Sequence, residues 1–339
     1  MDVDTHGPIP SVPGVDDPRI IAPPVDVPGP GAVWRPPALY AGAPRRHPWE
    51  LPVLAVGILL AIATYAIVVW LVILTGISQW YLFALALPLL VFGARGLNYA
   101  RMRVSAVQLS PTQFPEGYRM LVESAARYGL EYVPDGYVMN GNGAINAFAS
   151  GHGFRRYVVI YSDLFEVGGR ARSPEALEFV IGHEVGHIAA GHVSYWRQLL
   201  STVIMAIPFL GPLLSRAQEY TADNYGYYTR PDGGHAAIGV MSSGKYLLSA
   251  LDFDQFADRA THDKGFFVTL ANAMSSHPVL TWRAAALRDR TRAGAILLRP
   301  RSFVRGSGSG NVTPVPTPPL PAQVVPGTLP NQLEQTSLY

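Results

Sequence analysis

The chain has 339 residues, enough for one sizeable globular domain with additional segments. It contains no cysteine, which excludes disulfides and thiolate metal sites, so any bound metal must be held by histidine and carboxylate side chains. The net charge of +2 gives no indication of a nucleic-acid partner, and we expect none.

Two tails are predicted, residues 1–48 and residues 300–339, and together they hold most of the 30 prolines of the chain. Proline interrupts helices and sheet ladders, and the apolar residues of these segments are too scattered to form a core. We therefore predict disordered termini, and the first is not a signal peptide. A solvated linker is the commoner meaning of such sequence, and binding of partner proteins is the alternative.

Residues 49–97 are predicted to form a transmembrane helical hairpin. Leu51 to Gly76 carries no charge and is long enough to span the hydrocarbon core of a bilayer. After a short polar link, Trp80 to Gly96 is a second apolar run, which is shorter and contains Pro88. The alternative is a hairpin buried in a soluble core.

The distribution of arginine predicts the orientation of this hairpin. Arg45 and Arg46 precede the first run, Arg95, Arg101 and Arg103 lie at or after the end of the second, and the link holds no basic residue. By the positive-inside rule both outer ends lie in the cytoplasm. We therefore expect a multi-pass protein of the cytoplasmic membrane with its globular domain on the cytoplasmic side.

Residues 104–299 are predicted to form a globular α+β domain, mostly helical with a small sheet. Ser173 is expected to cap the helix that contains the motif described next, with Pro174 in its first turn. The apolar patterns predict helices over 115–130, 173–192, 217–228, 236–251 and 278–293, and strands over 132–139, 143–151 and 155–166.

The segment GHEVGHIAAGH, residues 182–192, places titratable side chains in an apolar helix. His183 and His187 are four residues apart, so both imidazoles lie on one helical face and can reach one metal ion. Glu184 lies about 100° around the axis, where it can reach a water on that metal. This is the H-E-x-x-H pattern of two zinc ligands and a general base.

A hydrolytic zinc site needs a third protein ligand. His192 is one residue away from the position of the last histidine in the extended H-E-x-x-H-x-x-G-x-x-H pattern, so it is the weaker candidate. Glu219 is the stronger candidate, and Asp223, four residues later, can accept the free N–H of a ligand imidazole. An ordinary solvated helix face is the alternative for this second pair.

Four segments in this order resemble a known family, the membrane-bound zinc metallopeptidases that include HtpX and the CAAX prenyl proteases. They are NAFASG at residues 146–151, GHEVGHIAAGH, EYTAD at residues 219–223 and SSHPVLTWR at residues 275–283. The resemblance covers roughly residues 105–293 and implies a zincin-like fold with one Zn²⁺ per chain.

The same resemblance implies a role for each matching residue. The ligands would be His183, His187 and Glu219, the general base Glu184, the candidates for stabilising the oxyanion His277 and Arg283, and the substrate contacts Asn146, Ala147 and Phe148.

Relatives similar to HtpX carry further spans between the zinc helix and the third ligand, whereas here only residues 199–214 lie between them. A single crossing of the membrane would put Glu219 on the opposite side from the two histidines. We therefore expect this apolar stretch, which Pro208, Gly211 and Pro212 interrupt, to turn back in the membrane or to cover the cleft. A plain core hairpin is the alternative.

The sequence therefore predicts a membrane-anchored zinc endopeptidase that acts on protein or peptide substrates and contacts the lipid bilayer, with a role in membrane-protein quality control. A membrane-tethered zinc-fold scaffold without protease activity is the main alternative, and a zinc hydrolase of non-peptide bonds is another. A channel is excluded because the candidate spans hold no ionisable residue.

Overall fold

A computed structural model describes residues 44–166 and 173–300. Almost all of both predicted tails lies outside these ranges, so their disorder stays a prediction. The described residues form a mostly helical α+β structure with one four-stranded sheet, which confirms this coarser part of the predicted fold class, and the zincin-like fold stays a prediction.

Two long helices come first, α1 (Glu50–Thr75) and α2 (Gln79–Ser105). Both are long and apolar enough to cross a membrane, and most of their residues are exposed. α2 continues beyond the predicted end at residue 97 because its second half packs against the globular domain. There Arg95 donates to the carbonyl of Val193 at 2.8 Å, and the Tyr99 hydroxyl donates to Asp135 at 2.6 Å.

The sheet has the strand order β1-β2-β4-β3, with β1 (Val107–Gln108), β2 (Asp135–Met139), β3 (Ala147–His152) and β4 (Arg155–Tyr161). β2 and β4 are parallel, and the other two pairs are antiparallel. The predicted strand over 143–151 begins only at residue 147, because Asn142 and Gly143 have positive φ angles and form a turn. The strand predicted over 155–166 ends at residue 161, where a short helix, α4 (Ser162–Phe165), follows.

The main core lies between this sheet and helices α3 (Pro115–Arg127) and α5 (Pro174–Ala189). α5 begins at Pro174 as predicted, but the expected cap by Ser173 is wrong. The Ser173 hydroxyl donates to the carboxylate of Glu175 at 2.5 Å instead of accepting a backbone N–H. Apolar side chains of α5 fill the core, among them Leu177, Ile181 and Val185.

Residues 195–229 form a helical hairpin, α6 (Tyr195–Met205) and α7 (Leu210–Thr229). Pro212 does not break the second helix because it lies in the first turn, where the missing N–H would have no partner. The hairpin packs against α1: Val53 clusters with Ile204 and Leu214. The apolar stretch 199–214 therefore turns back on itself against α1, and its position in a membrane stays a prediction.

The remaining helices are α8 (Gly233–Ser243), α9 (Phe253–His262), α10 (Phe266–Met274) and α11 (Leu280–Arg288). The helix predicted over 236–251 ends at Ser243, because Gly244 takes a φ of +80° that a helix cannot continue. The helix predicted over 278–293 ends at Arg288, and α9 and α10 were not predicted.

Candidate metal centre

Two histidines one turn apart on α5 face the same point. The Nε2 atoms of His183 and His187 are 3.2 Å apart, and the rings meet edge to face. The apolar positions of α5 bury most of the helix and leave these two rings at the floor of a cleft. The four-residue spacing therefore brings both imidazoles to one point, as the sequence predicted.

Glu219, in the middle of α7, brings a carboxylate to the same point. Its two oxygens lie 3.4 Å from Nε2 of His183 and 3.5 Å from Nε2 of His187. Among the described residues, these three form the group whose donor atoms all lie within 4.8 Å of one another. Ligands about 2.1 Å from a tetrahedral zinc ion are about 3.4 Å apart, so the donor set and its spacing fit Zn²⁺.

Asp223 holds His183 in position from behind. Its Oδ1 lies 3.0 Å from Nδ1 of His183, so a proton on Nδ1 is donated to the carboxylate and the lone pair of Nε2 is left for a metal. Arg283 donates to the same carboxylate from Nε, at 2.7 Å, and from Nη2, at 2.5 Å. Burial favours the neutral acid, but the charges of Arg283 and His183 outweigh it and lower the pKa of Asp223.

Helices α5 and α7 can bring these ligands together because they pack unusually close. A Cβ on Gly186 would collide with Cβ of Tyr225 and lie 2.8 Å from its Cγ. A Cβ on Gly182 would lie 2.9 Å from both Cβ of Thr229 and the Tyr128 hydroxyl. The two glycines of the motif therefore set the distance between the helix with the histidines and the helix with the carboxylate.

The cleft at the ligands has a volume of about 440 Å³. It is lined by every site residue predicted from sequence except Asp223, which contacts the far side of His183. Glu184 lines the cleft beside His183 and His187, and it is buried. The cleft is also lined by Ala147 and Phe148 at the start of the edge strand β3, and by Asn146 directly before it.

His277 and Arg283, the two candidates for stabilising an oxyanion, differ in how free they are. Nε2 of His277 lies 3.5 Å from Glu219, and the side chain is 64% exposed at the mouth of the cleft. Arg283 is buried, with Nε and Nη2 committed to Asp223, and its Nη1 is 4.0 Å from Glu219. His277 is thus the more exposed of the two candidates, with Nδ1 3.1 Å from the Ser276 hydroxyl and Nε2 on the side of the cleft.

The sequence did not predict two further contacts near the ligands. Nδ1 of His192 lies 2.7 Å from Nδ1 of His187, and Nε2 of His192 lies 3.2 Å from Oε1 of Glu50. His192 therefore contacts the back of a ligand and is not itself one of the three donors. A signal for Glu50 existed, since it is an acidic residue at the very start of a long apolar helix, but nothing in the sequence paired it with His192.

Comparison with known proteins gives the class of the chain. The sequence model of peptidase family M48 matches residues 111–207 and 195–291, which together span more than half of the 339 residues. By its sequence the chain therefore falls in a family of peptidases. It belongs to peptidase family M48, which confirms the resemblance to membrane-bound zinc metallopeptidases. It is 26% identical over 175 residues to the metalloprotease LoiP of Escherichia coli (strain K12), a match that covers 45% of this chain and 61% of that relative.

Proposed function

We propose that this protein is a membrane-anchored, zinc-dependent endopeptidase. The observation that carries the proposal is the convergence of His183, His187 and Glu219 at the floor of a cleft that also holds Glu184. Membership of family M48 supports peptide-bond hydrolysis, and the nitrogen and oxygen donors support zinc.

His183, His187 and Glu219 would hold the ion, and zinc held there would supply Lewis acidity and lower the pKa of a water molecule toward neutrality. Glu184 is the general base of the proposal. It takes a proton from the attacking water and afterwards delivers it to the leaving amine. Asp223 keeps the ring of His183 in the orientation and tautomer that a ligand requires.

The substrate backbone would lie in the cleft along β3. Among the described residues β3 pairs on one side only, with β4, so its other edge can pair with an extended peptide near Asn146, Ala147 and Phe148. His277, exposed at the mouth, can donate to the carbonyl oxygen as negative charge develops there. Arg283 would act mainly through Asp223, with Nη1 the nitrogen left for the cleft.

The α1–α2 hairpin would anchor the protein in the cytoplasmic membrane. Its two helices are long, apolar and mostly exposed, which supports this anchoring. By the positive-inside rule, the arginines before α1 and in the second half of α2 favour a cytoplasmic side for both outer ends. A metallopeptidase held in this way would act on proteins at the inner surface of the membrane, which suits a role in membrane-protein quality control.

The general base is the residue to test. We expect full-length Glu184→Gln in detergent to keep one zinc per chain and to lose cleavage of casein, because the ligands are intact and the base is gone. Glu178→Gln is the matched control: Glu178 is also a buried carboxylate of α5, but it faces Arg230 at 3.6 Å. It should keep both zinc and activity.

A chelator should abolish wild-type cleavage, and added zinc should restore it. Wild-type protein that binds no zinc, or a Glu184→Gln variant that still cleaves casein, would refute the proposal. Zinc binding without any peptidase activity in the wild type would favour the scaffold instead.

A further inference from the structure

A line of buried contacts connects the ligand His187 to the first helix of the hairpin. It runs from Nδ1 of His187 to Nδ1 of His192 at 2.7 Å, and from Nε2 of His192 to Oε1 of Glu50 at 3.2 Å. His192 is 5% exposed and Glu50 is fully buried. A buried ring and a buried carboxylate in contact with the half-buried ring of His187 require an explanation, because burial of polar groups is costly unless they are paired.

The chemistry of the ligand fixes where the protons of this line lie. Nε2 of His187 faces Glu219 and His183, so it must be free of a proton to bind a cation. The proton of His187 then lies on Nδ1 and is donated to Nδ1 of His192. That leaves the proton of His192 on Nε2, from which it is donated to Glu50. Apart from Nε2 of His187, which faces the metal position, each ring nitrogen of His187 and His192 then takes part in one hydrogen bond.

Glu50 is itself firmly held. Its Oε1 accepts from Arg46 and Arg197, each at 2.6 Å, and its Oε2 accepts from the Thr221 hydroxyl. Arg197 lies on α6 and Thr221 on α7, two residues after Glu219. The carboxylate is therefore fixed as an acceptor with a defined position relative to both ligand helices.

We propose that His192 and Glu50 are positioning residues for His187, so that helix α1 completes the metal site. The inference rests on the proposed function. Glu50 and His192 would do for His187, over two hydrogen bonds, what Asp223 does directly for His183: fix the ring and make Nε2 a better donor. Partners of this kind typically contribute about 10–100-fold in metal affinity.

The competing explanation is that Glu50 only neutralises Arg46 and Arg197. The two explanations differ in what they predict for the metal, so the readout is zinc affinity by chelator competition, together with the visible spectrum of the Co²⁺-substituted protein. Both are measured on the full-length chain in detergent, with circular dichroism as the check on folding.

His192→Phe keeps a ring but removes both nitrogens, and we expect zinc affinity to fall about 10–100-fold with a shifted Co²⁺ spectrum. His192→Asn keeps an oxygen near the place of Nδ1 that can still accept from His187, so its affinity should recover part of the loss. Glu50→Gln should weaken zinc binding less than His192→Phe does. Glu178→Gln, which removes a buried carboxylate elsewhere on α5, should bind zinc like the wild type.

Wild-type affinity and spectrum in folded His192→Phe would overturn the proposal. If that variant does not fold, His192→Asn and Glu50→Gln decide, and wild-type values in both would overturn it equally. In either case a wild type that binds zinc and cleaves casein leaves the proposed function standing, whereas a wild type without zinc removes the proposed function first.

Discussion

The spacing between α5 and α7 can be perturbed by a single methyl group, at Gly186. This glycine lies on α5 between Glu184 and His187, against Tyr225 of α7. Carbon atoms in contact are ordinarily about 3.5–4.0 Å apart. A Cβ here would lie 2.8 Å from Cγ of Tyr225 and closer still to its Cβ, which is fixed to the backbone. In Gly186→Ala the two helices must therefore move apart by about 1 Å.

The expected effect on function is larger than the effect on stability. Overpacking costs about 1–3 kcal/mol, and alanine returns up to about 1 kcal/mol through its better helix propensity. With the full gain from alanine, the free energy of unfolding should thus fall by about 0–2 kcal/mol. However, the movement separates Glu219 from His183 and His187, and a misplacement of about 1 Å can cost about 100-fold in rate.

The assays are denaturant unfolding, zinc affinity and cleavage of a peptide by the full-length protein. Gly239→Ala on α8 is the matched control, because a Cβ there meets its nearest neighbour at an ordinary 3.4 Å. It should leave zinc affinity and cleavage unchanged. Gly186→Ala with wild-type zinc affinity and wild-type cleavage would show that close packing of α5 on α7 does not set the ligand geometry.

Two further predictions concern protons and the buried ion pair. Burial and the charge of Arg283 oppose protonation of His183, but Asp223 and Glu219 outweigh them and raise its pKa in the metal-free protein to about 9. Zinc must displace that proton at pH 7, so affinity should rise with pH and level off above about pH 9; calorimetry in two buffers that shows no proton release at pH 7 would contradict this. Arg283→Met leaves buried Asp223 with His183 as its remaining partner, so the free energy of unfolding should fall by about 3 kcal/mol, the lower end for breaking a buried ion pair, measured by denaturant titration; a loss below about 1 kcal/mol would show that the pair is not essential.

The parts of the fold and site that the sequence predicted are those encoded by local patterns. His183 and His187 share one face because a helix repeats every 3.6 residues, and that relation is fixed without knowledge of the fold. The hairpin could likewise be predicted from composition alone. Glu219 and Asp223 were candidates because the H-E-x-x-H motif upstream needs a third ligand, and the resemblance then supported them; their four-residue spacing alone is common on solvated helices.

The parts that the sequence did not predict depend on tertiary contacts. Glu50 and His192 are 142 residues apart, and their pairing follows from the way α1 packs beside α6 and α7. Arg283 was predicted to stabilise an oxyanion, but its Nε and Nη2 donate to Asp223 instead. That contact depends on how α11 packs against α7, which the sequence does not show. The end of α8 before Gly244 and the start of β3 after the turn at Asn142 were not predicted, because both depend on individual φ angles.

Within the described residues, no hinge separates the apolar helix α1 from the globular domain. Glu50, the first residue of α1, is already enclosed by that domain, and a Cβ on Gly57 two turns later would lie 2.7 Å from Cγ2 of Ile204. If α1 crosses the bilayer as proposed, the cleft cannot swing like a domain on a tether. It would stand at one height and one tilt over the lipid, so the choice of peptide bond would depend on its distance from the membrane surface as well as on the residues around it.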